Sequence, residues 1–163
     1  FKIPFTDKIV GYYNYSKKIK NLIISSVLEN NELVLYTSNL KTKEHTYIDN
    51  STGRSIHNIP INKFGEEKIS YISKKDSIWD INYVDLSSYK TKTITTTLNN
   101  NEDICWFKDG SILTSYKNKL YIFNTKISKD WILLCSLEEY GITNISRIAI
   151  NTDNDKLALV NSK

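Results

Sequence analysis

Residues 53–57 begin like a nucleophile motif. Gly53-Arg54-Ser55-Ile56-His57 opens as the Gly-x-Ser-x-Gly elbow of hydrolases, in which a tight strand-to-helix turn exposes a serine hydroxyl. His57 replaces the final glycine, no helical pattern follows, and no later histidine could act as the general base. The sequence therefore disfavours a serine hydrolase within this chain.

The sequence gives little support for a metal-binding site. The two histidines, His45 and His57, lie on different predicted strands, and neither Cys-x-x-Cys nor His-x-x-x-His spacing occurs. The run Asp153-Asn154-Asp155 lacks the spaced glycine and the distal glutamate of a calcium loop, and an Asx-type turn explains it better. We therefore predict no metal and no other cofactor.

A basic and aromatic cluster stands near the start of the chain. It contains three tyrosines and three lysines: Tyr12, Tyr13, Tyr15, Lys17, Lys18 and Lys20. Such a cluster could form a nucleic-acid surface, or a lysine-rich turn after an edge-like strand, where lysine discourages aggregation. No basic stripe continues elsewhere and the net charge is only +4, so we expect no nucleic-acid partner.

These residues must be positioned by strands. The chain has 163 residues, enough for one domain with a hydrophobic core. Its 12% aromatic content, with eleven tyrosines, suits strands better than helices. No apolar run approaches the ~20 residues of a membrane helix, so we expect no membrane span.

Apolar residues alternate or form short runs, and the pattern predicts four groups of strands. The first group is 9–15, 21–28, 32–38 and 44–48. The second is 55–59, 67–73, 77–86 and 90–97. The third is 103–107, 111–116, 119–124 and 131–137. The fourth is incomplete: 144–150 and 156–160. Residues 29–31 are predicted as a hairpin turn, and residues 50–53 as the connection between the first two groups.

The groups recur with a regular period. Their matching positions Tyr12, His57, Cys105 and Ile148 are separated by 45, 48 and 43 residues, near the ~40–50 residue period of propeller blades. We predict an all-β fold, a single partial β-propeller over residues 1–163, with about three and a half four-stranded blades at 9–48, 55–97, 103–137 and 144–163. We expect it to be the C-terminal part of a six- to eight-bladed ring, closed by missing blades or by oligomerisation.

The two cysteines fall on the first and fourth strands of the third predicted blade. Neighbouring strands are ~4.8 Å apart, so Cys105 and Cys135 would lie ~14 Å apart. A disulfide needs Cα atoms within ~7 Å. We therefore predict two buried free thiols.

Four segments carry a family resemblance: residues 53–60, 102–110, 118–121 and 144–151. With them the chain resembles the TolB-like, WD40-like (PD40) β-propeller family, in particular its exported Bacteroidetes-type members. The family's two turn motifs appear here as Trp106-Phe107-Lys108-Asp109-Gly110 and Asn151-Thr152-Asp153-Asn154. Both lack the family's proline, and Asn154 replaces a glycine, which is tolerable because asparagine adopts left-handed backbone. The resemblance implies a longer propeller, a periplasmic or cell-surface location, and protein binding without a catalytic set.

Six residues fall at or near the innermost predicted strands and the loops that enter them: Arg54, His57, Glu102, Asp103, Trp106 and Arg147. Loops at one face of a propeller are where partners usually dock. These side chains could form a polar mouth with an aromatic wall. Alternatively, Asp103 pairs with Arg147 between neighbouring blades and Trp106 is part of the core.

The function expected is therefore a non-enzymatic binding module. Its partner would be a protein, a peptide or a glycan, engaged through the ring face. The alternative is a propeller hydrolase of the lactonase-like kind, or the propeller part of a peptidase.

Overall fold

The computed structural model of the chain describes Phe5, residues 7–60 and residues 66–162. Within these residues there are fourteen β-strands and two short 3-10 helices, Leu98–Asn100 and Glu138–Tyr140. The chain divides into two compact units, Phe1–Thr96 and Thr97–Lys163. No helix in the described part of the chain is long and apolar enough to cross a membrane.

The first sheet is a four-stranded antiparallel meander. Its strands are β1 (Val10–Tyr15), β2 (Leu22–Glu29), β3 (Glu32–Asn39) and β4 (His45–Asp49). The turn between β2 and β3 is the predicted hairpin. Asn30 and Asn31 have φ values of 48° and 66°, and two successive left-handed residues match the twist of the strands that they join.

The second sheet completes the first unit. Its strands are β5 (Thr52–Asn58), β6 (Lys68–Ser73), β7 (Asp80–Asp85) and β8 (Thr91–Thr96). The two sheets share one apolar core, formed by Leu22, Ile24, Leu35, Ile56, Ile69, Tyr71, Val84 and Leu86. Asn14 joins the sheets at β1, since its Nδ2 donates to the Ile56 carbonyl at 3.1 Å.

The second unit contains a four-stranded and a two-stranded sheet. The first comprises β9 (Ile104–Trp106), β10 (Ser111–Tyr116), β11 (Lys119–Asn124) and β12 (Ile132–Ser136). The other comprises β13 (Ile145–Ile150) and β14 (Leu157–Asn161). Their shared core is formed by Cys105, Leu113, Leu120, Ile145 and Ile148.

All fourteen predicted strands are confirmed, with ends within three residues of the prediction. One connection was predicted wrongly, because Thr52 and Gly53 belong to β5 rather than to a polar link. Both are buried, and the Thr52 hydroxyl donates to the Leu33 carbonyl at 3.1 Å. A register shift between Thr52 and Ile56 accommodates this extension. The single-domain boundary 1–163 stays a prediction.

The predicted Asp-Gly-like turns of the second unit are confirmed. Gly110 has φ +88° and Asn154 has φ +63°, so asparagine fills the left-handed position as expected. Asn151 holds its turn through hydrogen bonds that its Oδ1 accepts from the amides of Asp155 (3.2 Å) and Lys156 (3.0 Å). Residues 153–155 therefore belong to a turn that the Asn151 side chain closes.

The thiols are free, but only one of them is fully buried. Cys105, on β9, is buried, whereas Cys135, on the outermost strand β12, is partly exposed. The prediction of two buried thiols is therefore wrong for Cys135, because an outer strand is covered less completely than an inner one. Burial raises the pKa of the Cys105 thiol to about 12.

Candidate functional site

Arg54 and His57 both lie on β5 in the first unit. Each side chain is half-buried. The His57 carbonyl accepts a hydrogen bond from the Ser70 hydroxyl at 3.4 Å, and His57 faces Ser70 in the β5–β6 register. Ser55, which lies between Arg54 and His57 in β5, is only 7% exposed. A buried serine within a strand lacks the exposed turn that a nucleophile elbow requires.

Asp103 and Arg147 are brought together in the second unit. Arg147 Nη1 lies 2.8 Å from Asp103 Oδ2, which links β13 to the residue before β9. Asp103 is held further by its amide, which donates to Asn101 Oδ1 at 2.9 Å. The predicted pairing is confirmed, while 45% of the Arg147 side chain stays exposed.

The other two predicted site residues, Glu102 and Trp106, lie on either side of Asp103 in the sequence. Glu102 precedes Asp103, and Trp106 is the last residue of β9; both are half-buried. Trp106 is thus not a fully buried core residue. Within the described ranges, no group of three or more His, Cys, Asp or Glu side chains could hold a metal ion.

A groove that the sequence did not predict opens on the first sheet. Its volume is about 590 Å3, and we call it the tyrosine groove; it is lined by Tyr13, Tyr15, Ser16, Asn21, Leu22, Ile23 and Leu40. The rings of Tyr13 and Tyr15 are conspicuous because each residue is 64% exposed. Tyr15 lies opposite Ile23 in the β1–β2 register, so the two side chains share one face of the sheet.

This face is the one opposite the second sheet. Asn14, between the two tyrosines, bonds to Ile56 of the second sheet, and neighbouring residues of a strand point to opposite faces. Phe5 covers this face at β3 and β4. The centroid of its ring lies 4.4 Å from the ring centroid of His45 and 5.5 Å from that of Tyr36. On the inner part of this face, Tyr13 and Tyr15 each remain 64% exposed.

Two ordered turns border the groove. The β1–β2 and β3–β4 connections lie at the same end of the strands of the first sheet. The Leu40 amide joins them by donating to the Asn21 carbonyl at 2.8 Å. The Ser16 hydroxyl accepts from the Ile19 amide at 2.6 Å. In the other turn, Asn39 Oδ1 accepts from the Lys41 amide at 2.9 Å. The groove edge is therefore preorganised.

Five lysines project from these two turns. We call them the lysine rim: Lys17, Lys18, Lys20, Lys41 and Lys43, all of them exposed residues. The tyrosine-lysine pattern of residues 12–20 was the available sequence signal for this site. The sequence favours a plain lysine-rich turn there, because no basic stripe continues elsewhere along the chain, and Lys41 and Lys43 join the cluster only through the fold.

Comparisons with known proteins identify the architecture. The structure is similar to the crystal structure of TolB from Acinetobacter baumannii, with a TM-score of 0.61 and 15% identity over 94% of this chain. The chain covers 38% of that TolB, well under half of its length. An acylaminoacyl peptidase in complex with Z-Gly-Gly-Phe-chloromethyl ketone matches 76% of this chain and 25% of its own, with 15% identity and a TM-score of 0.45.

The chain matches no protein-family model and no curated protein. The likeness to TolB concerns the fold. It confirms the predicted partial β-propeller, built here from three four-stranded sheets and one two-stranded sheet.

Proposed function

We propose that the protein is a non-enzymatic propeller module that binds a protein, peptide or glycan partner. The observation that carries this proposal is the tyrosine groove. Its volume of about 590 Å3 lies within the ~300–1,000 Å3 range of ligand pockets. Tyrosine is also enriched among the residues that dominate binding energy at interfaces, because a rigid ring offers a large contact area.

Exposure of the two tyrosines supports binding rather than packing. Each is 64% exposed, although Asn14 between them is fixed to the second sheet by a 3.1 Å hydrogen bond. A strand held on one face and open on the other offers its rings at little conformational cost.

The ring-face residues are the second element of the proposal. Arg147 is oriented by Asp103 and keeps 45% of its side chain exposed, so its guanidinium can contact a partner while staying paired. Glu102 and Trp106, in the same unit, would contribute to this contact, and Arg54 and His57 on β5 of the first unit are proposed as contacts in their own right. Export to the periplasm or cell surface, and completion of the ring by further blades or by oligomerisation, belong to the same proposal.

The test is a ligand screen read by residue-resolved NMR. The 15N-labelled chain is titrated with acidic, basic and neutral peptides and with neutral oligosaccharides. We expect at least one ligand to shift the amides of Tyr13, Tyr15 and Ile23, and the double variant Tyr13→Ala/Tyr15→Ala to abolish those shifts. Tyr140→Ala is the matched control, since this tyrosine is 76% exposed in the second unit. The proposal fails if no ligand of any charge perturbs the groove amides.

A further inference from the structure

We infer that the tyrosine groove and the lysine rim together bind an acidic protein segment that carries a bulky apolar side chain. This inference rests on the proposed function and names its partner class. Two observations carry it: the charge of the two turns that border the groove, and the apolar lining between them.

The charge balance of the rim is strongly positive. Five lysines stand on the two turns; Glu44 follows Lys43 in the second turn, and the Glu67 carboxylate contacts the first turn. Glu67 is 8% exposed and is engaged within the fold. It accepts hydrogen bonds from the Ser16 hydroxyl and the Lys17 amide, both at 2.5 Å. Through these hydrogen bonds the Glu67 carboxylate orders the β1–β2 turn.

Glu44 is the exposed carboxylate of the second turn, and it accepts from the Thr42 hydroxyl at 2.8 Å. Within the described residues of the two turns, 16–21 and 40–44, one exposed carboxylate against five exposed lysines leaves an electropositive edge. Such an edge attracts carboxylates and raises the rate of encounter with an acidic partner.

The groove supplies the apolar part of the recognition. Ile23, which is 8% exposed, and the half-buried Leu40 give the groove an aliphatic floor, and Tyr13 and Tyr15 form one wall. A large apolar side chain buried there would be stabilised because its surface is removed from water. The flanking acidic residues of the same segment would then lie at the lysines.

Other ligand classes fit these features less well. A neutral glycan carries no anionic group that could pair with the lysines. A nucleic-acid strand would need a basic track that follows its phosphates, whereas the chain's 22 basic and 18 acidic residues give a net charge of only +4. An acidic peptide with an apolar anchor matches both the groove and its rim.

The test is a fluorescence-anisotropy titration of the whole chain with matched labelled peptides. The first probe has a Trp-Leu pair flanked by glutamates. The second replaces every glutamate by glutamine, and the third replaces every glutamate by lysine. A fluorescein-labelled single-stranded oligonucleotide is the fourth probe. We expect the acidic peptide to bind on the order of tenfold more tightly than the glutamine peptide, and its affinity to fall as salt rises from about 50 to about 300 mM.

Two double variants separate the rim from general charge. Lys20→Glu/Lys41→Glu should weaken the acidic peptide on the order of tenfold and leave the glutamine peptide within about twofold. Lys90→Glu/Lys92→Glu makes the same charge change on two exposed residues, one just before β8 and one within it, and should leave both peptides within about twofold. Circular dichroism of each variant verifies the fold.

The outcomes are distinct. Equal affinity for the acidic and glutamine peptides overturns the inference but leaves the groove as a binding site. Tighter binding of the oligonucleotide that is lost in the rim variant assigns the site to nucleic acid and overturns the inference too. Groove amides that respond to no peptide or glycan overturn the proposed function itself.

Discussion

The two faces of the first sheet are made by the same four strands, yet they do different work. The face toward the second sheet is closed: Ile24 and Leu35 have no exposed surface, and Asn14 is hydrogen-bonded across the contact. The opposite face carries Tyr13 and Tyr15, each 64% exposed, beside an open groove. One face holds the fold together, and the other carries the groove for which we propose a partner.

Strand β1 reverses the usual arrangement, in which apolar side chains are buried and polar side chains are exposed. On β1 the polar Asn14 lies between the sheets, whereas the aromatic Tyr13 and Tyr15 face outward. Burial at a strand is decided by what covers each face, so side-chain type alone misleads here.

The largest expected effect is on the closed face. Leu35→Ala should lower the free energy of unfolding by about 2–5 kcal/mol, because a fully buried leucine leaves a cavity in the core that the two sheets share. Tyr15→Ala, on the open face, should cost about 1 kcal/mol or less. Urea denaturation followed by circular dichroism measures both. Equal losses for the two variants would remove the distinction between the faces.

A medium effect is expected where the closed face carries a buried polar pair. The Tyr71 hydroxyl donates to Asp49 Oδ2 at 2.9 Å, and Asp49 also pairs with Lys75. Tyr71→Phe removes one partner of a charged acceptor and should cost about 1.5–3 kcal/mol at pH 7. The measurement is the difference in unfolding free energy between wild type and variant.

The same pair gives a pH dependence with a definite sign. Burial, followed by the charge of Asp49, raises the pKa of Tyr71 far above the usual tyrosine value of about 10. The folded chain therefore holds this proton more tightly than the unfolded chain. The advantage of wild type over Tyr71→Phe should be full below pH 10 and shrink as the pH rises further. An advantage that grows above pH 10 would show that the assigned cause is wrong.

The smallest expected effects come from two buried hydroxyls, one on each face of the sheet. Ser25 is opposite Tyr13, and Thr37 is opposite Ile24. Neither hydroxyl has a hydrogen-bond partner among the described residues. Ser25→Ala and Thr37→Val should therefore change stability by about 1 kcal/mol or less, toward stabilisation. Thermal unfolding compares them, and a loss of several degrees in Tm for either would indicate a partner for that hydroxyl.

Much of the fold could be predicted from the sequence because strands and turns are local. The run Asn30-Asn31, Gly110 and Asn154 each provide the left-handed backbone that their turns need, and such residues are visible without a structure. The Asp103–Arg147 pair was also predictable, since equivalent positions of successive blades lie side by side.

The tyrosine groove could not be predicted in the same way. It depends on which face of the first sheet is covered, and on a hydrogen bond from Leu40 to Asn21 that brings two turns together. Lys41 and Lys43 are distant in sequence from Lys17, so the charge cluster exists only in the folded chain. Cys135 is a different case, because the sequence placed it correctly on the fourth strand of its sheet and the error was to expect an outermost strand to be buried.

The most direct test measures stability and binding on one variant. Tyr15→Ala should keep its free energy of unfolding within about 1 kcal/mol of wild type and lose binding of the Trp-Leu peptide flanked by glutamates. That result would assign the open face to binding and the closed face to folding. Intact peptide binding, or a loss of stability as large as that of Leu35→Ala, would contradict this division.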